Sequence, residues 1–127
     1  MDQEQLQKAQ VLEYHLKQTE QQIELVKQQY AELEQTQAQL QTLETNDTKE
    51  ILASLGKGLY LPTIIREKRL FVEVGAGVIV RKTPEETKKV VQEQLQHLHT
   101  IKEQLAANFD FYLNQLSQMI QEIEAKN

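Results

Sequence analysis

Two long stretches without a single glycine or proline, residues 2–45 and 85–127, bracket a middle that holds all four glycines and both prolines. This division constrains the fold more than any other feature. An unbroken run of that length is helical if its apolar residues recur at a helical period. From Ala9, alternate steps of three and four land on Leu12, Leu16, Thr19, Ile23, Val26, Tyr30, Leu33, Gln37 and Leu40. Only Thr19 and Gln37 are not apolar. The second stretch repeats the pattern through Val91, Leu95, Leu98, Lys102, Leu105, Phe109, Tyr112, Leu116, Met119 and Ile123, broken only at Lys102. A 3.5-residue spacing sustained this long predicts two coiled-coil helices. Most of the residues between are Gln, Glu and Lys, which favour helix and stay soluble.

The second helix has a marked start. Thr83 takes the N-cap, Pro84 the first helical position and Glu86 the third, which makes a capping box with proline where its missing N–H costs nothing. Each helix spans roughly 60–65 Å at 1.5 Å per residue. Two helices of equal length joined by an insert fold back antiparallel most simply, and the heptads test that topology. Leu12 with Met119, Val26 with Leu105, Leu33 with Leu98 and Leu40 with Val91 all share one index sum, so a single register serves both seams. A slip of one heptad would also align the stripes.

The middle changes character. Short runs rich in Val, Ile, Leu, Phe and Tyr predict four strands, at 50–55, 59–65, 69–74 and 78–82. Gly56-Lys57-Gly58 and Gly75-Ala76-Gly77 are expected to be three-residue hairpin links, with glycine where positive φ is needed. Arg66-Glu67-Lys68 joins the hairpins. Pro62 removes a ladder donor, so its strand must be an edge there or carry a bulge. The fold class is therefore α+β: a long antiparallel two-helix coiled coil with two β-hairpins at the bend. The chain reads as one domain over 1–127, with a helix over 2–46, hairpins over 49–82 and a second helix over 83–126.

Several functions are excluded or disfavoured. With no cysteine, thiol chemistry and a disulfide framework are impossible. No basic region followed by an apolar run opens the chain, and no apolar run approaches a membrane span, so a cytoplasmic protein without a membrane partner is expected. Nine basic and five acidic residues lie between Lys49 and Lys89, against five basic and fourteen acidic elsewhere. Acidic flanks of that size argue against a nucleic-acid partner. Gly75-Ala76-Gly77 begins like a dinucleotide fingerprint, but Val80 stands where the third glycine belongs, and a strand follows where a helix is needed. Gly56-Lys57-Gly58 lacks a P-loop ending. His97 and His99 point to different faces and His15 lies on the other helix, so all three read as solvated surface residues rather than metal ligands. No catalytic constellation stands out; a non-enzyme without cofactor is expected.

Two surfaces remain. Leu6, Val11, Leu25, Phe111, Leu113 and Ile120 do not fit the seam. They belong either to a broadened seam or to an exposed apolar surface for a partner. Helix ends fray, and methionine adapts to irregular partners, so partner contact is expected at the tip, around Leu6, Val11, Leu12, Leu116, Met119, Ile120 and Ile123. Four short strands cannot close a core alone, and their edges stay open. Oligomerisation is expected through Ile51, Leu59, Leu61, Leu70, Phe71, Val72, Val74, Val78 and Val80.

The stretches 55–62 (LGKGLYLP) and 72–83 (VEVGAGVIVRKT) resemble the hairpin segments of prefoldin, specifically its α-class subunit of archaeal type, including the VxVGAG turn and the basic pair after it. The resemblance covers the whole chain, and the two hairpins match the α class, because the β class has one. It implies a hexamer of two α and four β subunits, with strands joining an inter-subunit β-barrel body. It also implies coiled-coil tips that hold non-native client proteins and pass them to a group II chaperonin without nucleotide. One alternative is a filament-forming relative built from this chain alone. Another is a helical-hairpin module of an enzyme or adaptor. Such a module is normally joined to a catalytic domain, whereas a chain running from Met1 to just past the coil is expected to stand alone.

Overall fold

The structure is a computed structural model that describes residues 2–47 and 49–126. The element order is helix α1 (Gln3–Thr45), strands β1 (Glu50–Gly56), β2 (Leu59–Ile64), β3 (Leu70–Gly75) and β4 (Val78–Lys82), then helix α2 (Pro84–Lys126). Four strands appear where the apolar runs predict them, with no end shifted by more than one residue.

Both helices begin at a side-chain cap. The Gln5 N–H donates to Asp2 Oδ1 at 2.8 Å, and Gln5 Oε1 accepts from the Asp2 N–H at 3.4 Å. This reciprocal box was not anticipated. At α2 the Glu86 N–H donates to Thr83 Oγ1 at 3.2 Å. Glu86 Oε1 then accepts from the Thr83 hydroxyl at 3.0 Å rather than from its backbone N–H, so the expected box closes through the side chain. The end of α1 has no glycine. There the hydroxyls of Thr42 and Thr45 donate back to the carbonyls of Ala38 and Gln41, a local competition that disfavours further helix.

The chain forms two compact units. The first comprises Met1–Glu32 and Leu95–Asn127. Along α1 its covered residues include Ala9, Leu12, Leu16, Thr19, Ile23, Val26 and Tyr30, the seam read from the sequence. Thr19, one of the polar exceptions, is 6% exposed and thus more enclosed than Val26 at 8%. Along α2 the seam departs from expectation once. Lys102 is exposed and Ile101 is half-buried in its place. Strict alternation of three and four follows a 3.5-residue period, whereas a helix turns every 3.6, so successive steps of three and then four and four re-centre the stripe. His15 is also half-buried, its ring stacked on Tyr112 at 5.0 Å, and is not the solvated residue expected.

The second unit comprises Leu33–Gln94, with the hairpins and the adjoining turns of both helices. Leu40 and Val91 are its best-covered apolar side chains, at 4% and 5% exposure. Lys88 Nζ lies 2.6 Å from both Gln41 Oε1 and Glu44 Oε2. These two partners bracket position 43, which the proposed index sum assigns to Lys88, and so support that register in this unit.

β1 pairs antiparallel with β2, and β3 with β4, as two separate two-stranded sheets. The links are shorter than expected. Gly56 pairs with Leu59 and Gly75 with Val78, which leaves two-residue loops, Lys57-Gly58 and Ala76-Gly77. All four loop residues have positive φ, from 49° to 77°, the type I′ geometry whose twist matches that of the flanking strands. Gly56 and Gly75 belong to the strands, where a register shift marks a bulge in each hairpin.

Candidate functional site

The hairpins carry the largest unpartnered apolar surface. Opposed residues of an antiparallel pair share a face. In the second hairpin Val72 opposes Val80, and Leu70 opposes Lys82. By alternation Val74 joins Leu70 and Val72 on that face. On the other face Phe71 opposes Arg81 and Glu73 opposes Ile79. The Arg81 guanidinium lies 5.2 Å from the Phe71 ring centroid, and Glu67 bridges Arg81 and Arg69 at 3.6 and 3.5 Å. One face is thus aliphatic and the other mixed. Yet both are open: Phe71 is 70% exposed and Val74 51%.

The first hairpin is equally bare. Ile51, Leu52, Leu59, Tyr60, Leu61 and Ile64 are all exposed, Ile64 to 74%. Of the residues expected to drive oligomerisation, Ile51, Leu59, Leu61, Phe71, Val74, Val78 and Val80 are exposed, and only Leu70 and Val72 are half-buried. Leu70 lines a pocket of about 580 Å³ with Leu40, Leu43, Ile51 and Tyr60. Tyr60 and Ile64 stand outside that expected set and are as open as its exposed members. Their signal was present in the alternation of the second strand, which gives β2 apolar residues on both faces.

The second candidate surface lies in the first unit. Residues from the start of α1 and the end of α2 line one groove of about 600 Å³, among them Glu4, Lys8, Val11, Leu12, Gln115, Met119 and Glu122. The two helices therefore run antiparallel here, and the groove is rimmed by carboxylates and amides. It unites three of the expected client residues, Val11, Leu12 and Met119. Leu6 and Ile120, both 47% exposed, lie outside its lining, as do the half-buried Leu116 and Ile123. The unit holds ten acidic and five basic residues.

Among the described residues no cluster of His, Asp and Glu is arranged to hold a metal, and no helix is long and apolar enough to cross a membrane. His99 Nε2 contacts Glu103 at 2.9 Å along the helix surface.

No curated protein matches the chain. Among solved structures it is similar to the cryo-EM structure of filamentous PFD from Methanocaldococcus jannaschii. The TM-score is 0.79 at 19% identity, over 91% of this chain and 98% of that one, a likeness of fold. The family model described as "Prefoldin subunit" matches residues 12–127. Two long helices joined through two small antiparallel hairpins match the fold of that solved structure, and by the family match the chain belongs to the prefoldin family, which is chaperone-like.

Proposed function

We propose that this chain is a subunit of an ATP-independent holding chaperone. Its hairpins join those of other prefoldin subunits, and its helix tips hold non-native protein for transfer to a group II chaperonin in the cytoplasm. The observation that carries the reading is the coexistence of two unlike apolar surfaces in one chain. The hairpins expose flat aliphatic strands with free edges, a form suited to permanent burial. The tip groove is lined by glutamines and glutamates together with Val11, Leu12 and Met119, a composition suited to weak and adaptable contact. Several arms around one client add avidity through effective concentration, so no single site needs to be strong. The acidic excess of the tip unit keeps a loaded assembly soluble by mutual repulsion.

In this reading the chain is the α-class subunit and its partners are four single-hairpin β-class subunits and a second α. The test is suppression of aggregation of a chemically denatured protein, followed by light scattering, with and without a single-hairpin partner. Removing about ten residues from each end is expected to abolish suppression and leave the assembly intact. Suppression that survives this truncation moves the client site away from the tip.

One observation favours a second reading: a similar solved structure is of a filamentous PFD. A filament would form from this chain alone. Scattering that grows with time and concentration in the absence of any partner would select it.

A further inference from the structure

Four rings join across α1 and α2 in the first unit. Tyr14 meets His15 edge-on at 5.8 Å, His15 stacks on Tyr112 at 5.0 Å with 14° between the planes, and Tyr112 meets Phe111 edge-on at 5.8 Å. The inner two rings are half-buried, whereas Tyr14 is 63% and Phe111 57% exposed. Packing of the helix pair accounts for the inner rings but not for the outer ones. The row also adjoins the groove that holds Val11, Leu12 and Met119. Val11 precedes Tyr14 and His15 by three and four residues, and Gln115, another groove residue, follows Phe111 and Tyr112 by four and three. Residues so spaced are neighbours on a helix surface, so the rings continue the groove by one turn on each helix.

Charge decides what fits along this strip. The face of an aromatic ring is negative and attracts a cation placed over it. Phe71 in the second hairpin already has one, Arg81 at 5.2 Å, but among the described residues no Lys or Arg stands over Tyr14 or Phe111. In the groove, Lys8 is held by Glu4 at 3.5 Å, while Glu122 has no ion-pair partner among the described residues. The unit as a whole carries an acidic excess. We propose that this face selects cationic segments of non-native proteins. The segment lies extended along the groove, with apolar side chains on Val11, Leu12 and Met119, one basic side chain over the open rings and a second beside Glu122. The inference rests on the reading of the tip as the client site and names the class of segment held there. Length agrees: Phe111 and Glu122 are eleven residues apart, about 16 Å along α2, which about five residues of extended chain span at about 3.3 Å each. Arginine suits the rings better than lysine, because its planar, weakly hydrated guanidinium stacks on them. An acidic segment meets ring faces and carboxylates of its own sign and is held less well.

The test is fluorescence anisotropy with the full-length protein and three labelled peptides. They share one apolar core and differ in its two flanking residues, which are arginine, citrulline or glutamate. Citrulline keeps the shape of arginine and removes the charge. The arginine peptide is expected to bind about tenfold more tightly than the citrulline peptide, and the glutamate peptide most weakly. Tyr14→Leu with Phe111→Leu keeps apolar area at exposed positions and removes the rings. It is expected to weaken the arginine peptide by about tenfold and the citrulline peptide by less than about twofold. Equal binding of the arginine and citrulline peptides, or equal losses of both in the variant, overturns selection by charge and leaves tip holding in place. An arginine preference that survives in the variant overturns the rings as its source. If no peptide binds but aggregation of a denatured protein is still suppressed, the ring face is overturned and holding stands. If suppression is absent as well, the holding reading falls, and this inference with it.

Discussion

Leu6→Ser together with Ile120→Ser tests client holding with little damage to the arm. Each side chain is 47% exposed, so a client can newly cover about half of it. Full burial of such an aliphatic contributes about 1.5–3 kcal/mol, so half contributes about 1 kcal/mol and the pair about 2 kcal/mol. At about 1.4 kcal/mol per decade, that weakens one arm on the order of 30-fold. The assay is light scattering of a denatured protein titrated with chaperone, and the reading is the concentration that halves aggregation. It should rise by at least tenfold. Leu25→Ser is the matched control: Leu25 is 55% exposed in the same unit, but nineteen residues along α1, about 28 Å, separate it from Leu6. It should leave the midpoint unchanged. A double variant that assembles and suppresses aggregation as well as the parent refutes the tip assignment, and equal losses in the double variant and the control show that general surface apolarity, not the tip, does the holding.

Phe71→Asp and Val74→Asp each alter an exposed position, so the isolated chain should fold, yet each would bury an unpaired charge in a shared sheet; size-exclusion chromatography should show loss of the assembly. Val26→Cys with Leu105→Cys should crosslink within one chain, and efficient crosslinking of 26 with 98 or 112 instead would reveal a heptad slip. Thr83→Ala removes the cap of α2 and should cost about 1 kcal/mol in denaturant unfolding. Ala76→Asn should stabilise the second hairpin by about 0.5–1 kcal/mol, because Ala76 sits at φ 49°, where asparagine is far better tolerated; slower hydrogen exchange in β3 and β4 would show it.

The seam was legible because burial of one stripe is a local, periodic demand. Every α1 position from Ala9 to Leu40 in the heptad walk is covered in the structure. The one slip, Ile101 for Lys102, came from holding the period rigid where a helix drifts against it. The hairpins were legible from glycine spacing, but their loops were read one residue too long. A glycine at a bulge and a glycine in a turn both have positive φ, and composition does not separate them. The Asp2–Gln5 box escaped because Asp2 precedes the first seam residue by several positions, where nothing periodic draws attention. The site was the least legible part. Which apolar side chains on a two-stranded sheet meet a partner is decided by both chains, and only one of them is written in this sequence. Tyr60 and Ile64 are as bare as Leu59 and Leu61 for that reason.

Among the described residues the two sheets share no ladder with each other. In the proposed assembly that would make the chain a bivalent building block, with each hairpin docking independently. A bivalent block mixed with univalent ones behaves like a polymerising monomer mixed with chain stoppers. Size is then set by the ratio of the two, without any change in either sequence. In the proposed assembly, single-hairpin partners in excess would give small closed particles, and scarcity of them would leave docking ends unfilled. The same molecule would then serve as the hub of a finite complex or the link of an extended one, according to how much of its partner is made.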